Sequence, residues 1–473
     1  MIYGHPQDAA PYCDEAIATA DLVGSAEIEA HALISRANCR AYFGDADGAI
    51  ADSLRARAIG LKIGAPEVVI RAYYTLGFVY AIGAKRFEES AATNLEGFSY
   101  AERHGLVRTA AASGPDLLAG AAFDLHALGR WDDAEQVLER ARLAGADETE
   151  SRPFLFHGVR IALDIGRGHL SEAEQRLDRV ERLEERGGEP EWVAMTSQLR
   201  AELAIWRGEP LRARAAVARG LERLAGLDEL ADVDDLGALY AGGLRAEAEL
   251  AAFARSRHVD GEIETARAIA RAYLERMRAL CDSTLRRRPA AASMATADLA
   301  LCEAEATRLQ GRSSPSRWAA VATAWDALGV RYQQAYALYR EAEALLGSTS
   351  GRKQAEAPLR AAHAIATSLA ALPLRHEIEG LAQRGRVELE VAPSKPAEPS
   401  PQAGTFGLTG RELEVLALLA AGRTNRQIGE ALFISDKTAG VHVSNILGKL
   451  GVVGRVEAAT LAYRLGLVDS PKG

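Results

Sequence analysis

One short pattern recurs along this 473-residue chain, and it limits the fold more than any other feature. It is an apolar helix end, a glycine, and then a helix that opens with acidic residues and carries an alanine five positions after the glycine. It appears as "AYFGDADGAI" at 41–50, "HALGRWDDAE" at 126–135, "DIGRGHLSEAE" at 164–174 and "AIWRGEPLRA" at 204–213. The pairs are Gly44 and Ala49, Gly129 and Ala134, Gly168 and Ala173, Gly208 and Ala213. Glycine tolerates the left-handed backbone that ends a helix. Asp or Glu is favourable at the positive N-terminal end of the next one. The small alanine lets two antiparallel helices approach closely. "YAIGAKRFEES" at 80–90 is a looser copy, and "LLGSTSGRKQAEAPLRAAHAIA" at 345–366 is a later candidate.

The first five of these glycines fall 39 to 46 residues apart, longer than the roughly 34 of a strict tetratricopeptide repeat. The region is similar to a degenerate tetratricopeptide-like helical array. A single hairpin of this kind cannot bury its own apolar face, so the copies are expected to stack on one continuous core. A composition rich in Ala, Leu, Arg and Glu favours helix throughout. The expected fold is all-α: a tetratricopeptide-like helical repeat superhelix over 1–390, followed by a small four-helix domain. Trp131, Trp192, Trp206, Trp318 and Trp325, with the tyrosines of "RYQQAYALYREAEALL" at 331–346, read as helix-packing core. An aromatic cage for a ligand is the other reading of the same residues.

Several chemistries leave no trace. The four cysteines, Cys13, Cys39, Cys281 and Cys302, form no CxxC pair, and no histidines stand at zinc spacing. A phosphate-binding loop needs GxxxxGK[ST], and "GSTSGRKQ" at 347–354 fails that spacing. HExxH and GxSxG are absent. The expectation is a chain that is not an enzyme and takes no cofactor or metal. The N-terminus lacks the basic and apolar regions of an export signal, and no run of about 18 apolar residues offers a membrane span, so a cytoplasmic location is expected.

"VAPSKPAEPSPQAG" at 391–404 holds four prolines, which deny a helix its donors and fix φ. This tether separates off a terminal domain at 405–473. Net charge is −9 overall, yet from Thr405 onward eight Lys/Arg face six Asp/Glu. A slightly basic module on an acidic body suits nucleic-acid binding confined to that end. Thr409 with Glu412, and Thr424 with Gln427, have capping-box spacing. The first precedes an apolar side of Leu413, Leu416, Ala417 and Ala420; the second precedes Ile428, Ala431 and Leu432. Ser435 is an N-cap for a third helix whose buried stripe is Ala439, Val443, Ile446, Leu447 and Leu450. Opposite lie Lys437, Gly440, Val441, Ser444 and Gly448, a face without large side chains. Such a slim face can approach base edges in a major groove.

The stretch from "LTGRELEVLALLAAG" through "SDKTAGVHVSNILGKLG" to Val468 resembles the DNA-binding domain of LuxR/FixJ-type bacterial transcription regulators. The resemblance implies a helix-turn-helix domain bound to double-stranded promoter DNA, with Gly440, Val441 and Ser444 facing bases. It assigns phosphate contacts to Thr424, Ser435, Lys437 and Thr438, with Asn425, Asn445 and Lys449 in or beside the same surface. It implies a homodimer through the helix near 455–465. Gly440 and Gly429 depart from the residues usual in the family. The whole chain resembles the large ATP-binding LuxR-type regulators without their ATPase domain. The sequence therefore reads as a transcription regulator whose repeats receive a signal from a protein or small-molecule effector. The rival reading is a helical-repeat interaction scaffold with a vestigial DNA-binding end.

Overall fold

The computed structural model describes residues 6–108, 114–146, 153–184, 190–225, 233–287, 291–347, 351–389 and 410–432. It also describes 440, 442–443, 446–447, 449–450, 452 and 454–464. These residues hold helices and turns and no strand. The chain divides into two compact units, Met1–Glu390 and Val391–Gly473.

The first unit runs through α1 (Pro6–Val23), α2 (Ala26–Tyr42), α3 (Ala46–Ile63), α4 (Pro66–Phe78), α5 (Phe87–Arg103) and α6 (Gly114–Ala127). It continues with α7 (Trp131–Leu143), α8 (Pro153–Arg167), α9 (Leu170–Glu184), α10 (Pro190–Trp206), α11 (Pro210–Arg223) and α12 (Val233–Ser256). It closes with α13 (Asp260–Arg287), α14 (Ala292–Leu309), α15 (Pro315–Ala327), α16 (Arg331–Leu346), α17 (Arg352–Ser368) and α18 (Leu372–Gly385). Successive helices pack side by side. In addition α2 meets α4, α4 meets α6, α6 meets α8, α8 meets α10, α10 meets α12 and α12 meets α14. The even-numbered helices thus form one layer of the superhelix and the odd-numbered helices back them.

The recurrent turn has one geometry. Gly44, Gly129, Gly168 and Gly208 take φ of 81°, 75°, 87° and 74°. In each case the next residue's N–H reaches back to close the helix: Asp45 to Arg40 O, Arg130 to Leu125 O, His169 to Asp164 O and Glu209 to Ala204 O, at 2.7–2.9 Å. These six-to-one bonds satisfy carbonyls that the helix end leaves open. Ala49, Ala134, Ala173 and Ala213 are all fully buried. The two looser copies behave differently. At 79–83 the chain makes a π-helical turn, with Ala84 N–H on Val79 O at 2.9 Å, and Lys85 takes the left-handed conformation instead of Gly83. Gly347 stays right-handed at φ −69°. The same turn also occurs where the sequence pattern did not mark it, as at Gly24, Gly64, Gly105, Gly145 and Gly329; at Gly329, φ 71°, Val330 N–H bonds Trp325 O at 3.0 Å.

The array does not stay open. α18 packs on α8, and the Trp131 ring lies 5.6 Å from that of Tyr332 on α16. One core joins Tyr73, Leu117, Trp131 and Leu163 to Trp318, Trp325, Tyr336, Tyr339 and Leu374. Trp131, Trp318 and Trp325 are buried, as packing residues should be, whereas Trp206 and Tyr332 are half-buried. Ion pairs link α12, α14 and α16. Arg308 binds Glu249 and Glu305 at 2.7 Å each, and Arg340 binds Glu249 and Glu343 at 2.8 Å each. Burial raises the Glu249 pKa, but Arg308 and Arg340 outweigh it and hold the carboxyl at about 2.

Asp124 on α6 is the opposite case. It is 1 % exposed, one oxygen has no partner, and the other accepts from Asn94 Nδ2 at 3.5 Å. Burial pushes its pKa up to about 8.

Two measurements follow from this packing. A Cβ at Gly129 would lie 2.9 Å from Arg331 Cβ and Leu369 Cδ2, whereas at Gly208 it would meet nothing within 4 Å. Gly208→Ala should cost about 1 kcal/mol, the left-handed penalty alone. Gly129→Ala adds overpacking and should cost about 2–4 kcal/mol by urea denaturation; equal losses would count against closure of the array. For Asp124, the unfolded carboxyl ionises near pH 4 and the folded one only near 8. The native state therefore loses relative stability as pH rises through that window. Asp124→Asn should stabilise the fold by about 2–5 kcal/mol at pH 8 and by little below pH 4, read as melting temperature against pH.

Candidate nucleic-acid interface

The second unit is built on α19 (Gly410–Ala420), α20 (Asn425–Leu432) and a terminal helix, Arg455–Arg464. Between them, Gly440, His442, Val443, Ile446, Leu447, Lys449 and Leu450 are helical. One core gathers Val415, Leu416, Leu419, Ile428, Val443, Ile446, Leu450, Ala458 and Ala462. The predicted stripe on the third helix is therefore buried wherever it is described: Val443, Ile446 and Leu450 face inward and Leu447 is half-buried. Ala439 lies outside the described residues.

The first helix corrects the sequence reading. Glu412, Val415, Leu416 and Leu419 are buried, whereas Leu413 and Ala420 are half-buried and Ala417 is exposed. The inward face is turned by one residue, about 100° of helix rotation. "LEVLALLAA" is apolar on nearly every side, so the period alone left two registers open. What selects the observed one is Glu412, whose carboxylate lies 2.7 Å from the Lys449 ammonium.

The second helix starts as its spacing requires. Thr424 N–H donates to Gln427 Oε1 at 3.0 Å, and Gln427 N–H donates to Thr424 Oγ1 at 3.3 Å, a reciprocal capping box. Before it, Gly422 takes φ 78° and Arg423 N–H bonds Leu418 O at 3.1 Å, the same turn chemistry as in the first unit. Arg455 Nη2 donates to Arg423 O at 2.6 Å and ties the terminal helix to this turn.

Of the residues assigned to DNA contact, Thr424 is exposed and Asn425 half-buried at the mouth of α20. Gly440 is half-buried, and a Cβ there would lie 3.3 Å from Asn425 Nδ2. Its lack of a side chain thus leaves room for Asn425, whose Oδ1 is enclosed without a hydrogen-bond partner. This relation between Gly440 and Asn425 was not foreseen. Lys449 is exposed, with its charge shared with Glu412. Ser435, Lys437, Thr438, Val441, Ser444 and Asn445 lie outside the described residues.

Thr409, the predicted cap of α19, lies outside the described residues; a first helix closed by a glycine turn, a second helix opened by a capping box and a third packed across both by one apolar stripe define the helix-turn-helix class. The model for bacterial regulatory proteins of the luxR family matches residues 407–462. Over 62 residues the chain is 55% identical to the transcriptional regulatory protein LiaR of Bacillus subtilis (strain 168), covering 13% of this chain and 29% of that protein. Over 61 residues it is 52% identical to the transcriptional regulatory protein DegU of Brevibacillus brevis, covering 26% of that protein. Over 62 residues it is 48% identical to the spore germination protein GerE of B. subtilis, 84% of whose length is matched. The chain belongs to the luxR family of bacterial regulatory proteins, and its membership rests on the terminal domain. It spans less than a third of the length of LiaR and DegU.

Replacing Thr424 by Val removes the hydroxyl that accepts from Gln427 N–H and should cost about 1 kcal/mol locally. Hydrogen exchange of the full chain should show α20 amides losing protection about fivefold while α4–α8 stay unchanged. Unaltered α20 protection would mean that the cap contributes nothing.

Proposed function

We propose that the chain is a DNA-binding transcription regulator. Its third terminal-domain helix enters the major groove of promoter DNA, and its helical repeats receive the signal that governs it. The observation carrying this reading is the described inward stripe of Val443, Ile446 and Leu450. It sits within a segment about half identical to named transcriptional regulatory proteins. On this reading Ser435, Lys437 and Thr438 contact phosphates together with Thr424, and Val441 and Ser444 meet bases. Asn425, Asn445 and Lys449 flank them, and Lys449 also steadies Glu412. Gly440 offers no direct side-chain contact and instead accommodates Asn425. Two copies bind as a dimer through Arg455–Arg464, in the cytoplasm, without catalysis or a cofactor.

Side chains of α16 reach both α7 and α12, the Tyr332 ring lying 5.6 Å from that of Trp131 and the Tyr336 ring 4.5 Å from the Arg245 guanidinium. No described helix is long and apolar enough to cross a membrane.

Selection of binding sites from randomised duplexes by the full chain should return one preferred sequence. Lys437→Ala should weaken every duplex alike and lower the salt slope by about one. Ser444→Ala or Val441→Ala should shift preference at one base position by about 1–3 kcal/mol. Recovery of no preferred sequence at moderate salt would overturn the proposal.

A further inference from the structure

The four cysteines are free thiols, and they fall into two unlike pairs. Cys13 on α1 and Cys39 on α2 meet side chain to side chain, the Cys39 thiol donating a hydrogen bond to the Cys13 sulfur. Cys281 on α13 and Cys302 on α14 share one core cluster, but Cys281 Sγ donates instead to Ala295 O at 3.7 Å. Exposure separates the pairs as well. Cys13 and Cys39 retain 8 % and 7 % of their surface, against 1 % and 0 % for Cys281 and Cys302. A solute of about the size of water touches the first pair, whereas the second is sealed.

The charges around the first pair give its two sulfurs different parts. Burial raises the Cys13 pKa, and the Cys39 S–H and the Arg36 and Arg71 guanidiniums pull it the other way, with Asp14 opposing them. Arg36 is shared between Asp14 and Asp52. Arg71, on α4, donates to His31 Nδ1 at 2.8 Å and to Ser35 Oγ at 3.2 Å, and neither partner neutralises its charge. No cation acts on Cys39, whose pKa is pushed up to about 11 by burial and by Cys13. The thiolate and not the thiol is the nucleophile, so Cys13 attacks first and Cys39 resolves.

We propose that Cys13 and Cys39 are an oxidation site, joined by hydrogen peroxide into a disulfide that fastens α1 to α2. The Cys13 thiolate attacks one peroxide oxygen and the O–O bond breaks. The other oxygen leaves as hydroxide and takes up the proton that Cys13 released, giving water and a Cys13 sulfenic acid. The Cys39 sulfur then attacks the Cys13 sulfur, the S–O bond breaks, and a second water leaves with the Cys39 proton. Two thiols and one peroxide become one disulfide and two waters; the sulfurs lose two electrons and the peroxide gains them. A small dithiol reverses the bond by exchange. Since α1 packs on α2 and on no other helix to a comparable extent, local opening of α1 is the motion that the bond suppresses. The inference goes beyond DNA binding and does not depend on it.

The test adds hydrogen peroxide to the reduced full-length chain and follows free thiols, intact mass and peptide maps. Two of the four thiols should disappear, the mass should fall by two hydrogens, and one cross-linked peptide pair should hold Cys13 and Cys39. Dithiothreitol should restore all four. The rate should climb about tenfold per pH unit while the Cys13 thiol is mostly protonated. Hydrogen exchange of α1 amides should slow by about tenfold once the bond has formed. Cys39→Ser should stop at the Cys13 sulfenic acid, captured by dimedone, and Arg71→Gln should slow the oxidation about threefold or more. The parent chain decides alone if either variant fails to fold. Four thiols surviving peroxide that oxidises free cysteine, a bond that uses Cys281 or Cys302, a bond between two copies, or a rate indifferent to pH would each sink the assignment.

Discussion

Everything in the larger unit depends on a tight reversal between antiparallel helices. The reversal needs a residue at positive φ to end one helix and a residue without bulk where the next helix crosses its neighbour. Gly44, Gly129, Gly168 and Gly208 meet the first need, and the buried Ala49, Ala134, Ala173 and Ala213 meet the second. Asp45 adds a side-chain cap to Gly48 N–H at 2.9 Å, so one turn closes one helix and opens the next. Once hairpins form at this spacing, their apolar faces have only each other to pack against, and a superhelix follows. The same six-to-one bond recurs at Gly422 in the terminal unit. The two units share their turn chemistry while differing in what the helices present.

Closure of the array imposes a second constraint that a repeat rule does not contain. Bringing α16 against α7 and α12 buries Arg308, Arg340 and Glu305, and groups of that kind enter an interior only when paired. The pairing runs through Glu249, with Tyr336 donating to Glu305 and accepting from Arg340 Nε at 3.1 Å. Moving α16 by one helical turn would take Arg340 away from Glu249 and Tyr336 away from Glu305. The ladder therefore fixes register where the apolar contacts of Tyr336 and Tyr339 alone would accept several. Arg245 makes no ion pair in that ladder, and its guanidinium lies instead against the Trp206 and Tyr336 rings.

The sequence was legible where a local cause acts. A glycine five residues before an alanine, a Thr-x-x-Gln, and a stripe of Val443, Ile446 and Leu450 each act within a few turns, and the chain adopts them as read. It was less legible where distant residues decide. The inward face of α19 is set by Glu412 meeting Lys449, 37 positions away, and "LEVLALLAA" carries no period strong enough to announce it. Gly83 and Gly347 looked like turn glycines, but a π turn ending at Gly83 places Lys85 at positive φ, and Gly347 closes its helix right-handed. The tryptophans divided in the same way. Trp131, Trp318 and Trp325 fill the core as aromatics at helical spacing do, whereas only the approach of α12 and α16 to the end of α10 leaves Trp206 half-buried against a cation. Nothing in "LRAEAEL" at 244–250 separates Arg245 from the many solvated arginines of the chain.

Charge divides the chain in a way that bears on how the proposed DNA binding must work. The terminal unit carries only two more basic than acidic residues, and some of its cations are engaged at home, Lys449 with Glu412 and Arg455 with Arg423 O. Few charges then remain for phosphates, and the sequence-independent part of affinity scales with that number. The body, acidic overall, adds nothing to it and repels a polyanion. A single copy of such a module binds any duplex weakly. In the proposed mode of binding, strength comes from base contacts that only the right sequence provides and from the proposed pairing of two copies on two half-sites. The arrangement trades grip for discrimination, as a regulator that must leave most of a genome unoccupied requires.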